Sequence, residues 1–263
     1  MEDGKAAMTA FLDGKCDASL NGEFPMVRQS FDRSDLAIIA TLSSSDNAVK
    51  VLARKDRGIK TPSDLVGKRI GVSKGTIANF FMDQFLKKNQ IPREKLTIID
   101  ISHKEVSESL KAGDIDAFFG SDYAYLKGSQ AIGNQGVTFT EPGLTNHAAC
   151  LTVKKEWLST HGEVAQRVLR ALVKAEQELA RHPDEQASML SQKLKAPEKD
   201  IRSIMSEQHN RVSLDQVLIL ALEDEARWMK ENGIVKERPL PNYLNFIDPA
   251  VLKSVNPSAV RLR

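Results

Sequence analysis

Two stretches of this sequence repeat one another at an offset of 99 residues. Leu12-Asp-Gly-Lys-Cys-Asp-Ala18 matches Lys111-Ala-Gly-Asp-Ile-Asp-Ala117 at Gly14 and Gly113, at Asp17 and Asp116, and at Ala18 and Ala117. Each stretch follows a helical pattern and precedes an apolar run. Each glycine is therefore read as the left-handed residue that stops a helix and turns the chain into a strand. A chain that makes this step twice is directed to α/β architecture, and the repeat predicts two similar lobes. Open α/β sheets bind ligands beyond the carboxyl ends of their strands. Asn21-Gly22-Glu23 and Gly120-Ser121-Asp122 are then equivalent positions, expected to face one cleft from two sides.

The length of 263 residues suits either one large α/β domain or two lobes. Up to about residue 149, short β-branched runs alternate with short helices, the pattern of a parallel α/β sheet. Strands are expected at 16–20, 36–42, 49–53, 69–72, 96–101, 115–119, 137–139 and 148–153, with helices at 5–12, 77–88 and 104–111. Beyond residue 153 helix follows helix. Val164, Val168, Leu172, Ala175 and Leu179 recur at helical spacing, and His182-Pro183 ends that helix. Ser213 and Gln216 read as a capping box for a helix running to Asn232, which Gly233 closes.

Composition excludes several function classes. Lys and Arg total 37 against 35 Asp and Glu, a net charge of +2, so no global field holds a nucleic acid. The longest aliphatic run, 217–222, is far short of the roughly 18 residues of a membrane span. No basic start leads into an apolar stretch, so no secretory leader is expected within the sequence. Two cysteines, Cys16 and Cys150, exclude a disulfide scaffold and a cysteine-rich metal site. They read as free thiols in strands or as a single bridge.

The best-defined local feature is Thr61-Pro-Ser-Asp-Leu-Val-Gly-Lys-Arg-Ile-Gly-Val72, followed by Ser73-Lys-Gly-Thr76 and an apolar helix. A helix start after a strand and a glycine offers free backbone N–H groups and the positive end of the dipole to an anion. Lys74 and the hydroxyls of Ser73 and Thr76 complete such a pocket; alternatively Thr76 caps its helix and Lys74 is solvated. The order of a nucleotide P-loop is absent. The five histidines form no His-x-x-x-His pair, and no Gly-x-Ser-x-Gly elbow occurs. Glu223-Asp224-Glu225 reads as a solvated helix face beside Arg227 and Lys230, and the basic cluster between Arg54 and Lys60 as a solvated connection. Phe80, Phe81 and Phe85 read as core contacts. No catalysis, metal or cofactor is expected.

The run from Thr61 to Val72 with Gly75-Thr76 behind it resembles the substrate-binding proteins of ABC transporters, in the nitrate, sulfonate and taurine group that includes thiamine-precursor binders. Val51-Leu-Ala-Arg-Lys55, Gly113-x-x-Asp116-Ala117 and Val255-x-Pro257-x-Ala259-Val260 fit the same group, and the resemblance spans nearly the whole chain. It implies a bilobal, periplasmic-binding-protein-like α/β fold with two mostly parallel sheets flanked by helices and a two-strand hinge. Lobe one would comprise residues 1–54 and 151–263, with lobe two, residues 55–150, inserted into it. The implied ligand contacts are Ser73, Lys74, Gly75 and Thr76 at the helix start; Asn21, Glu23 and Phe24; Ser44, Ser45 and Asn47; and Asp122 and Tyr123. Glu23 and Asp122 depart from the pattern of an oxyanion binder. Pointing inward they favour an amine or ring nitrogen, and otherwise they cap the helices that follow. Members of the group open with a strand and a helix ahead of the Gly-Lys-Ala-Ala segment at residues 4–7, so one βα unit of roughly 30 residues is expected to be missing.

The implied function is a monomeric periplasmic or extracellular receptor that takes a sulfonate, carboxylate or pyrimidine-like molecule and presents it to a transporter permease. It would need no cofactor and bind no nucleic acid. Two other readings stay open: the sensing domain of a membrane signalling protein, and a thiamine-pyrimidine-synthesis-like enzyme, whose cysteine-rich motif is absent.

Overall fold

The computed structural model describes residues 4–262, apart from the side chains of Asp122 and Tyr123. The chain divides into two units, Met1–Ser45 with Asn146–Arg263, and Asp46–Thr145. The first unit opens with α1 (Gly4–Leu12), β1 (Ala18–Gly22), α2 (Glu23–Ser30) and β2 (Leu36–Ser45). The second holds β3 (Val49–Arg54), β4 (Arg69–Val72), α3 (Ile77–Lys88), β5 (Thr97–Asp100), α4 (Val106–Ala112), β6 (Ala117–Ser121), α5 (Asp122–Ile132) and β7 (Gly136–Phe139). The chain returns to the first unit through β8 (His147–Lys154), α6 (Lys155–Thr160), α7 (Gly162–Arg181), α8 (Pro183–Leu194) and α9 (Glu198–Ser206). It ends with β9 (His209–Asp215), α10 (Gln216–Glu231), α11 (Ala250–Val255) and β10 (Val260–Arg261).

The sequence repeat is real at the level of elements. Gly14 and Gly113 have φ of +74° and +78°, a conformation open to glycine at little cost. Both close their helices with the same two bonds. Gly14 N donates to Phe11 O and Lys15 N to Ala10 O, as Gly113 N donates to Leu110 O and Asp114 N to Ser109 O. Phe11 and Leu110, the residues that anchor these turns, are both buried. The strands that follow start at Ala18 and Ala117, and the next helices start at Glu23 and Asp122 with no intervening loop.

The sheet of the first unit has the order β1-β8-β2-β9-β10, and that of the second β5-β4-β6-β3-β7. Both are mixed, which corrects the expectation of mostly parallel sheets. In the first, β8 lies antiparallel between β1 and β2, and β9 is antiparallel to β2 and parallel to β10. In the second, β4 is parallel to β5 and β6, whereas β3 is antiparallel to β6 and β7. The strands that carry the chain from unit to unit, β3 and β8, enter their sheets without a crossover helix. Nothing then imposes the parallel sense that a βαβ step requires. Their pairing also moves the unit boundary: β3, expected at the end of lobe one, is built into the second sheet.

Each unit has its own apolar core. In the second, Leu52, Ile101, Val106, Leu110, Ile115 and Phe118 pack together. Phe81 and Phe85 of α3 meet Phe119 of β6, with an edge-on contact of 5.5 Å between Phe85 and Phe119, as their helical spacing predicts. In the first unit α2 packs against α10, where Phe24 meets Trp228 at 5.8 Å. Pro183 ends α7 as expected and opens α8 at its first position, where the missing N–H has no helical partner to lose. The Ser213–Gln216 capping box does not form. Ser213 is held in β9 opposite Thr41, its hydroxyl donates to Asp215, and α10 begins only at Gln216.

Candidate functional site

The run from Thr61 to Val72 builds the approach to a helix start. Asp64 Oδ2 accepts from Lys60 N at 2.9 Å, Thr61 N at 2.8 Å and the Thr61 hydroxyl at 3.0 Å, closing a capping box over the turn Pro62–Leu65. These bonds, the backbone ones foremost, hold its carboxyl below the ordinary range. Arg69 then starts β4 with its N–H on Asp116 Oδ2 at 2.9 Å and its guanidinium on the same carboxylate. The residues of the motif thus serve the fold, and residues 73–79 are what it presents.

At that end Lys74 N donates to Asp100 Oδ1 at 3.0 Å, and Gly75, with φ of +68°, donates its N–H to Asn79 Oδ1 at 3.3 Å. Thr76 occupies the cap position in extended backbone, but its hydroxyl donates backwards to Ser73 O at 2.7 Å and caps nothing. The expected Thr76 cap is therefore replaced by a helix start without a side-chain cap. The N–H groups of Ile77 and Ala78 have no acceptor within the helix. Asn79 is 5% exposed, and its Nδ2 is buried without a hydrogen-bond partner among the described residues. Lys74 stands exposed beside this turn. Free N–H groups, an amide donor and an ammonium at the positive end of a helix suit an anionic head group. Asn79 was invisible to a reading of the sequence because it lies inside an apolar helical run; its spacing of four from Gly75 was the available signal.

In the first unit the expected residues meet differently. Glu23 begins α2 directly after β1 and is fully buried, at 0% exposure. Its Oε1 accepts from His147 Nδ1 at 2.9 Å and its Oε2 from Ala148 N at 2.7 Å. Burial pushes this carboxyl up, but the His147 charge and hydrogen bond, aided by Glu225 and the Ala148 N–H, outweigh it and hold the group below the usual range. Glu23 thus neither caps α2 nor offers a free oxygen to a ligand. Phe24 is a core residue against Trp228. Asn21 donates its Nδ2 to Gly22 O at 2.7 Å, while its Oδ1 is buried without a partner among the described residues. Ser44 and Ser45 lie on β2 opposite Ala148 and His147, so Ser45, His147 and Glu23 are gathered at one end of the sheet. Asn47 is half-buried in the link from β2 to β3. Asp122 and Tyr123 open the backbone of α5 as Glu23 opens α2, and their side chains lie outside the described residues.

Glu225, expected on a solvated face, is 1% exposed and lies beside Glu23. It falls at helical spacing with the buried residues Leu218, Leu222 and Met229, which is the stripe that signalled its burial. Cys150 is buried and free, and burial, then the charges of Glu23 and Glu225, push its thiol well up, so it makes a poor nucleophile. Cys16 is also free and precedes β1 instead of lying in a strand. Among the described residues, no cluster of three or more His, Cys, Asp or Glu side chains is arranged to hold a metal, and no helix is long and apolar enough to cross a membrane.

The chain is similar to several solved structures. The alkanesulfonate-binding protein SsuA from Xanthomonas axonopodis pv. citri, bound to MOPS, superposes with a TM-score of 0.81 at 19% identity, over 95% of this chain and 86% of that one. The ligand-binding component of an ABC-type import system from Staphylococcus aureus, with zinc bound, gives 0.77 at 13% identity, over 97% and 86%. The desulfurization enzyme DSZB gives 0.68 at 16% identity, over 92% and 85%. These likenesses establish the periplasmic-binding-protein type of fold, mixed α/β with two sheets flanked by helices. No curated protein sequence matches the chain. The family profile described as "NMT1/THI5 like" matches residues 2–186, which takes in β1 to β8 and the helix start at residue 77, and the chain belongs to that family.

Proposed function

We propose that this chain is the solute-binding receptor of an ABC importer, acting in the periplasm or outside the cell and delivering its ligand to a membrane permease without chemical change. Its ligand is a small organic anion with a sulfonate or carboxylate head. The observation that carries this reading is the uncapped start of α3, where Asn79 Nδ2 is buried without a partner and Lys74 is exposed beside it. Desolvating such donors is unfavourable unless an acceptor takes them up, and a charged acceptor gives roughly 1.5–3 kcal/mol per hydrogen bond. An amine or pyrimidine ligand is disfavoured because Glu23, the acid in the first unit that would recognise it, has both oxygens engaged by His147 and Ala148. A catalytic role finds little support in Cys150, buried and held as a thiol.

Thermal shift and calorimetric titration of the full chain with alkanesulfonates, carboxylates and pyrimidines test the reading. Anions of the first two classes are expected to raise the melting temperature. Lys74→Ala should weaken their binding by about tenfold, and Asn79→Asp, which keeps the acceptor for Gly75 N but adds a negative charge, should weaken it by more than that. A panel in which no anion stabilises the chain overturns the proposal, as do wild-type affinities in both variants.

A further inference from the structure

Glu225 is a buried carboxyl with no donor turned towards it among the described residues. It sits on α10 with 1% exposure, and neither oxygen has a hydrogen-bond partner while the group is ionised. Glu23, its neighbour at the start of α2, has one oxygen on His147 Nδ1 and the other on Ala148 N. Among the described residues, the other ionisable groups around Glu225 do not neutralise it. From β8 come His147, already on Glu23, and the thiol of Cys150; from the turn Tyr243–Phe246 comes Tyr243, whose hydroxyl pairs with Ser30 Oγ at 3.0 Å. α10 itself brings Asp224, whose negative charge adds to that of Glu23.

We propose that Glu225 and Glu23 share one proton, carried by Glu225 and donated to the Glu23 carboxylate, and that this proton is a latch seating the start of β8 on α2 and α10. Two carboxylates side by side in an apolar interior cannot both ionise, and protonation of one turns mutual repulsion into a hydrogen bond. The proton supplies the donor that Glu225 otherwise lacks. Burial, then the Glu23 charge, push Glu225 well above its ordinary value of 4.5, while Glu23 stays below that value. The residues held by the latch, His147 and Ala148, are the first of β8, where the chain re-enters the first unit after Thr145.

The sign of the pH dependence follows. The folded chain keeps a proton on Glu225 that the unfolded chain releases near 4.5, so this contribution falls as pH rises from there through the folded value. Glu23 works oppositely, its contribution being lost as pH falls from about 4.5 through its lowered folded value. The latch is therefore closed in a window between the two and opens on the alkaline side.

Thermal and denaturant unfolding of the full chain from about pH 5 to about pH 9, in wild type and Glu225→Gln, provides the test. Glutamine keeps a donor towards Glu23 and cannot ionise. The variant should match wild type near pH 5 and then gain on it, by up to about tenfold in the folding equilibrium per pH unit, until Glu225 itself titrates. Backbone exchange at Ala148 should accelerate at alkaline pH in wild type beyond the intrinsic rise and not in the variant. Parallel pH profiles in the two proteins overturn the proposal. The infrared spectrum of wild type decides independently of how the variant folds: a protonated-carboxyl carbonyl band at neutral pH that disappears on alkalinisation supports the shared proton, and its absence at neutral pH removes it.

Discussion

At Gly22 a hydrogen stands where every other residue carries a Cβ. Its φ of −63° is open to any residue, but a Cβ there would lie 2.5 Å from His147 Cε1. The glycine is needed for close approach, because the imidazole must lie over it to reach Glu23. Gly22→Ala is expected to push the ring aside, break the His147–Glu23 bond and lower stability by about 1–3 kcal/mol, measured by denaturant unfolding near pH 7. Restoration of stability on adding His147→Ala, relative to the sum of the two single changes, would identify the clash as the cause. A loop acid before a helix is legible as a polar group; that both its oxygens are taken inside one unit depends on His147 and Ala148, more than a hundred positions away.

Among elements, the start of β6 is held by Asp116, the repeat residue whose counterpart Asp17 is exposed. Asp116 is buried, and its carboxylate takes the Arg69 N–H and guanidinium, tying β6 to the start of β4. Its backbone continues the tie: Asp116 N donates to Arg69 O at 2.8 Å, and Asp116 O accepts from Arg54 N of β3 at 3.0 Å. Burial pushes this carboxyl up, but the Arg69 hydrogen bonds and charge, with Arg57 behind them, hold it below 3.8. The side chain therefore contributes stability above that value and loses it as pH falls through its folded value. Asp116→Asn should cost on the order of 1–3 kcal/mol near pH 7 and less in acid, read from unfolding curves at the two pH values. Arg69 is partly solvated, so added salt should reduce the difference between wild type and variant. The strand and helix at residues 69–72 and 77–88 were legible to the residue, because Gly67, Gly75 and the apolar spacing punctuate them locally. The direction in which β3 and β8 enter their sheets was not, because pairing partners far along the chain set it.

For the molecule as a whole, the second unit is one continuous stretch with its own sheet and its own apolar core. Residues 46–145 expressed alone are expected to fold, with circular dichroism of a mixed α/β domain and dispersed amide resonances; an unfolded spectrum would contradict their independence. The first unit, by contrast, is assembled from both ends of the chain and requires β8 between β1 and β2. The sequence by itself determined the alternation of strands and helices up to about residue 149, the two helix-to-strand steps at Gly14 and Gly113, the family and the helix start at residues 73–77. All of these rest on short-range rules of backbone conformation and side-chain spacing. Only the tertiary structure decided that Thr76 caps nothing while Asn79 Nδ2 is left without a partner, that the sheets are mixed, and that Glu225 lies beside Glu23 in the interior. The reason is physical: the free energy of a charge or a donor is set by what surrounds it, and for these groups the surroundings come from distant parts of the chain.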